Sequence, residues 1–335
     1  MTNRERVLAA LAHEEPDKIP YQIDFTAKAM ERMLAHCGGD GFLRQIDNCF
    51  HGVGANPGPN AQWLSENVWQ DDFGVQWDRS IDRDIGNVCN AVIPDPDLGT
   101  WEPPDPDAPD RLEGFAKRCA AGSGKCVQFN LGFSLFERAW LLRGSMSALL
   151  VDMIEAPAFV HELLDALCDY NVSLVNRAVK WSIDAVHFGD DWGGQKGLLI
   201  SPRLWERFMA PRLARQYAAA KQAGKLVTIH SCGKVDSLFP RLVELGVDCF
   251  NPFQPEVMDV YAMKRLYGDR LSFWGGISTQ RLLPYGTPDE VRAEAKRMIC
   301  EVGEGGGYIL APAHAIPGDA KPENVLALIE TACGV

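Results

Sequence analysis

Short apolar runs alternate with longer stretches of helical periodicity along most of the chain, and this alternation predicts repeated βα units around a parallel sheet. The predicted strands are IPYQIDF (19–25), CVQFNL (126–131), AVHFGD (185–190), KLVTIH (225–230), DCFNP (248–252), LSFWGG (271–276) and GYILAP (307–312). Several leave through Gly, Asp, Asn or Pro, the residues that end a strand in a turn. Between them, 157–183 carries Leu163, Leu164 and Leu167 near helical spacing, with Glu162 and Asp165 on the other side, and predicts a helix. Ser201-Pro202 predicts the start of another, a capping residue followed by proline at the first helical position. Seven such strands, with an eighth expected inside 40–90, predict an α/β fold of the closed (β/α)8 TIM-barrel type. No G-x-G-x-x-G follows the first strand, which weighs against an open dinucleotide-binding sheet.

The stretch PDPDLGTWEPPDPDAP (94–109) is too rich in proline and aspartate for a helix or sheet interior and is expected to be a surface loop. With the aromatic segment WLSENVWQDDFGVQWDR (63–79) it forms an insertion, 63–109, expected over the mouth where the strands' C-terminal ends open and barrel active sites lie. The 335 residues are otherwise expected to form one barrel domain, 1–335.

Composition narrows the partners. A net charge of −12 argues against nucleic acid and anionic membrane, both of which need a basic face. That leaves a small-molecule substrate and a protein partner. The start, MTNRERVLAALAHEE, places charges where a secretory signal needs an apolar core, and no run of about 18 apolar residues occurs, so a cytoplasmic protein is expected. In that compartment the ten cysteines are expected as thiols, with Cys168 and Cys249 in the core.

One cluster carries chemistry. In KLVTIHSCG, alternation along a strand puts Thr228, His230 and Cys232 on one face, with Val227 and Ile229 on the other against the outer helices. His230 and Cys232 then point toward the barrel axis at the catalytic end, an imidazole and a thiolate placed to share one Zn²⁺. Two ligands hold zinc poorly, and His314, just past the strand GYILAP, is the expected third. Asp190 and Asp191 follow another strand end; only one faces inward from a regular strand, and Asp191 is favoured because glycines follow it. Glu137, after CVQFNL, is a second candidate acid, with a helix-capping role as its alternative. His187 reads as a core histidine, His51 as part of a glycine-rich loop, and His13, His36 and His161 as lying on polar or helical stretches. Trp69, Phe73, Trp77, Trp192 and Trp274 are candidates to line an apolar pocket.

RERVLAALAHEEPDKIP, FGDDWG, HSCGKV, NPFQPE, FWGGISTQRLLPYGTPDEV and GGYILAPAHAIPGDAKPENV together resemble the uroporphyrinogen decarboxylase superfamily, and within it the cobamide-dependent methyltransferase branch of coenzyme M methyltransferases and O-demethylase components. The RQAGRY motif of true uroporphyrinogen decarboxylases is absent. The resemblance implies catalytic zinc on a His-x-Cys pair, matched by His230 and Cys232, and a distant cysteine, where this chain has His314. It also implies a corrinoid (cobalamin) carried by a partner protein, and puts Asn251 and Gln254 of NPFQPE, with Trp274 and Gly276 of FWGG, forward as cofactor-contacting positions. With one thiolate and two neutral imidazoles, such a zinc is a stronger Lewis acid, suited to polarising an ether oxygen. The expected activity is therefore zinc-dependent methyl transfer from a methylated donor, favoured as an O-methyl ether such as a methoxyaromatic, to Co(I) of a corrinoid protein. The alternatives are a metal-free decarboxylase, which would need a positively charged cleft, and a non-catalytic corrinoid- or metal-binding protein.

Overall fold

In chain order the strands are β1 (Phe50–Val53), β2 (Gln62–Trp63), β3 (Val68–Gln70), β4 (Gln76–Asp78), β5 (Asn87–Val88), β6 (Cys126–Phe133), β7 (Ala185–Gly189), β8 (Leu226–His230), β9 (Cys249–Phe253), β10 (Ser272–Ile277) and β11 (Tyr308–Pro312), in a computed structural model that describes residues 1–334. Seven of them form one parallel sheet in the order β1-β6-β7-β8-β9-β10-β11. The open edges of β11 and β1 are bridged by the first expected strand: Tyr21 pairs in parallel with Leu310, Leu310 N–H donates to Pro20 O at 2.9 Å, and on the other side Cys49 N–H donates to Tyr21 O at 3.1 Å. That segment is the barrel's eighth stave, held by isolated bridges. The strand expected inside 40–90 is β1, so His51 lies on a barrel strand, its Nε2 2.9 Å from Arg118 O, rather than in a loop.

The alternation read from KLVTIH holds, since Val227 and Ile229 are fully buried toward the helices and Thr228 turns inward to bond Gln128 and His187. Cys168 and Cys249 are core residues with no exposure. The helix expected over 157–183 spans Pro157–Ala178, and Ser201 caps Pro202–Phe208 by accepting from Leu204 N–H. No helix among the described residues is long and apolar enough to cross a membrane.

The short strands β2 to β5 build a separate antiparallel sheet, followed by a loop through 94–108 without helix or strand that ends in the 3-10 turn Pro109–Leu112. Trp77 of this sheet stacks on Phe133 at the C-terminal end of β6, 5.7 Å between centroids. Asp71 pairs with Arg138 at 2.5 Å, and farther along Asp84 accepts from Ala27 N–H, at the start of the helix Ala27–Cys37. The insertion thus runs across the C-terminal mouth, from the β6 side to the chain following the first stave.

Candidate metal centre at the barrel mouth

β8 ends at His230 and the chain turns sharply through Ser231, Cys232 and Gly233. Gly233 has φ +85°, and a Cβ there would lie 2.3 Å from the backbone of Gly193, so the turn requires glycine on both counts. The turn brings Cys232 Sγ to 3.3 Å from His230 Nε2. Barrel closure brings in His314, its ring centroid 5.7 Å from that of His230, and one donor atom from each of the three residues lies within 4.8 Å of the others. Two ligands of one tetrahedral zinc sit roughly 3.3–3.6 Å apart, so small side-chain rotations close the set.

The tautomers suit a cation. Asn251 Nδ2 donates to Trp274 O, a group that only accepts, so Asn251 Oδ1 is the atom 2.6 Å from His230 Nδ1. Nδ1 therefore carries the proton and the Nε2 lone pair faces Cys232. Burial, then the neighbouring His230, hold His314 below the usual histidine range, which keeps it a neutral donor. Burial and the charges of Asp191 and Glu137 push the Cys232 thiol up, and a bound cation is what reconciles a thiolate with those carboxylates. The residues present fit a zinc ion. Asn251→Ala is expected to lower zinc affinity roughly 10- to 100-fold by freeing the His230 ring, measured by competition with a chromophoric chelator.

The adjacent aspartates divide as alternation requires. Asp190 is buried, accepting from the N–H groups of Phe136 and Glu137 and from Trp192 Nε1 at 2.7–3.0 Å; it caps the helix Phe136–Leu142 from another strand. Asp191 faces the mouth, where its Oδ1 accepts from Cys232 N–H at 2.6 Å and lies 3.9 Å from His230 Nε2. Glu137 Oε2 accepts from Asp191 N–H at 3.0 Å, and burial, then the charges of Asp191 and Asp190, push its carboxyl up to about 9. A carboxyl raised in the fold stabilises it at pH below its ordinary 4.5, and that contribution is lost as the pH climbs toward about 9. Metal-free Glu137→Gln is therefore expected to melt with the parent near pH 4.5 and above it at pH 8, by roughly 4 °C or more for each kcal/mol relieved in a small domain and less in a chain of this size.

His230 and His314 open into a pocket of about 390 Å³, also lined by Gln22, Asp24, Gln128, Asn130, His187 and Trp274. His187 is no isolated core residue: its Nδ1 meets Thr228 Oγ1 at 2.8 Å and burial holds it down to about 3, a neutral imidazole on the pocket wall. Trp274 lines the same pocket, stacked on Phe50 at 4.4 Å. Gln254 and Gly276 do not reach it. Gln254 is buried with Oε1 accepting from Gly233 N–H at 2.6 Å, bracing the ligand turn, while Gly276 lines an outer groove of about 650 Å³. Trp192 is likewise core, packed on Trp205, and Trp77 is taken up by Phe133. Trp69 and Phe73 line a second chamber under the insertion. Gln22 and Asp24, like Gln128 and Asn130, were legible as polar residues at alternate positions of otherwise apolar strands.

The family model described as uroporphyrinogen decarboxylase (URO-D) matches residues 140–334. A uroporphyrinogen decarboxylase of Methylococcus capsulatus is 28% identical over 182 residues, 53% of this chain and 49% of that protein. The methylcobamide:CoM methyltransferase MtaA of Methanosarcina barkeri is 27% identical over 168 residues, 50% of this chain and 47% of that protein. The chain thus spans about half the length of the curated relatives it matches. A solved methyltransferase from Methanosarcina mazei aligns over 99% of this chain and 98% of its own with a TM-score of 0.71 at 20% identity, a likeness of fold.

Proposed function

Because the chain belongs to the uroporphyrinogen decarboxylase (URO-D) family, whose model matches more than half of it, we propose that this member is a zinc-dependent methyltransferase. It moves a methyl group from a methylated donor, favoured as an O-methyl ether such as a methoxyaromatic, to Co(I) of a corrinoid held by a partner protein. The observation that carries this reading is the convergence of His230, Cys232 and His314 at the barrel mouth. His230 Nε2, Cys232 Sγ and a ring nitrogen of His314 would hold the metal. Bound zinc would supply Lewis acidity at the donor's oxygen. The chain's own groups do the rest.

Asn251 keeps His230 in its ligand tautomer, and Asp191 fixes the Cys232 backbone. In the transfer the methyl–oxygen bond breaks with its electron pair left on oxygen, and Co(I) supplies the pair for the new carbon–cobalt bond. The freed oxygen takes a proton, and Glu137, whose carboxyl is raised by burial and by the charges of Asp191 and Asp190 in the metal-free protein, is the acid placed beside Asp191 to hold one. The insertion, 63–109, covers the mouth of what we read as one barrel domain, 1–335, and contacts the donor or the corrinoid protein.

A decarboxylase acting on an acidic tetrapyrrole needs cations around its substrate, and no lysine or arginine lines the metal-centre pocket among the described residues. The test is incubation of the zinc-loaded protein with Co(I) cobalamin and a panel of methyl ethers, methylamines and methyl thioethers, following methylcobalamin by its absorbance. Methylation from an ether is expected. Porphyrinogen decarboxylation without methyl transfer from any donor would overturn the reading.

A further inference from the structure

The first stave alternates as β8 does. Tyr21 and Ile23 are buried in the core behind it, while Gln22 and Asp24 face the metal-centre pocket. Asp24 is the one carboxylate that lines this pocket, and it is exposed to the chamber rather than sealed into the wall. Its geometry is set in advance. Phe50 N–H can only donate, and it reaches Gln22 Oε1 at 3.2 Å, so Gln22 Nε2 is the atom that meets both Asp24 oxygens, at 3.0 and 3.1 Å. A side-chain amide does not neutralise a carboxylate. Burial pushes the Asp24 carboxyl up, and among the described residues no cation is paired with it. No step of the methyl transfer uses this charge.

Around the barrel, the first stave is the fourth from β8 by either path, through β7, β6 and β1 or through β9, β10 and β11. Asp24 therefore stands on the stave opposite the one that carries His230. The same chamber is lined by Trp274 and Phe50, stacked at 4.4 Å, and by His187, which burial keeps neutral. A chamber with a metal centre at one pole, an uncompensated carboxylate at the other and aromatic rings in its wall selects a ligand whose positive charge lies away from the metal. We propose that Asp24 is a specificity-determining residue that reads an ammonium group at the far end of the methyl donor, so that the donor is an aromatic methyl ether bearing an amine. This deepens the methyltransferase reading and rests on it for the methyl end alone. The size agrees, because about 390 Å³ is at the small end of ligand cavities and suits a single substituted benzene ring. The two oxygens of Asp24 offer about four acceptor positions, so the bonds from Gln22 leave room for a charge-assisted hydrogen bond from the ammonium.

The test is titration calorimetry, on the zinc-loaded protein at neutral pH, of cationic 4-methoxybenzylamine and of neutral 4-methoxybenzyl alcohol, paired with methyl transfer from each to Co(I) cobalamin. The parent is expected to bind the amine roughly 10- to 100-fold more tightly than the alcohol. Asp24→Asn keeps the shape of the side chain and an oxygen for Gln22 but removes the charge, and its zinc content and melting temperature are checked against the parent. It is expected to bring the amine down to the level of the alcohol. An amine held by the zinc itself would keep its advantage in Asp24→Asn. Equal affinity of the parent for both ligands, or an undiminished preference for the amine in Asp24→Asn, overturns the proposal. Asp24-dependent preference for the amine without methyl transfer from either compound supports the ammonium site and overturns the methyltransferase reading, so the two failures are distinguishable.

Discussion

Replacing His314 by alanine is expected to strip zinc and methyl transfer from the protein together. His314 reaches the centre only because the barrel closes, through the bridges of the first stave to β11, and it supplies one of three donors within 4.8 Å. Loss of a residue that merely orients a ligand costs roughly 10- to 100-fold in metal affinity, and loss of a ligand costs more. Zinc binding should therefore fall by more than about 100-fold, with activity following zinc occupancy. A general acid at this position would instead keep its metal and lose only activity. His314→Cys separates coordination from charge. It should retain zinc, but a second thiolate donates electron density and weakens the pull on an ether oxygen, so ether demethylation should slow at full occupancy. Full ether activity in zinc-loaded His314→Cys contradicts the Lewis-acidity argument, and full metal content in His314→Ala removes His314 from the centre.

Gly233→Ala is expected to be the most damaging single methyl group in the mouth. The backbone there is in the left-handed region at φ +85°, and the added Cβ would sit 2.3 Å from Gly193 C and O and 2.7 Å from Gly194 N. All three are backbone atoms of the neighbouring strand-end loop, which Lys234 N–H also grips through Gly194 O at 2.9 Å. Nothing flexible is available to yield. Strain of this kind costs about 1–3 kcal/mol for the dihedral alone, and the clash adds to it. A melting temperature lowered by several degrees together with weakened zinc binding is the expected result, because the same turn carries Cys232. An unchanged melting temperature and zinc affinity would show that the two loops separate freely.

The inward placement of His230 beside Cys232 was legible because a strand's alternation is rigid: once Val227 and Ile229 belong to the helices, His230 must face the axis. His314 followed from its place after the last strand, since closure sets strand ends side by side. What the chain did not reveal depends on register and loop geometry. Asn251 pins His230 because β8 and β9 pair His230 with Asn251, a match no spacing along the chain encodes. β1 hid because FHGV is four residues long with a glycine inside, and its company is supplied by β6. Trp192 looked like a pocket residue from its place after a strand, yet the turn swings it beneath the mouth onto Trp205 and Asp190.

The most direct test of the account is metal analysis of the protein purified without exposure to chelator. A centre built by His230, Cys232 and His314 predicts about one zinc per chain. Less than about a tenth of that, with none regained on adding Zn²⁺, would contradict it.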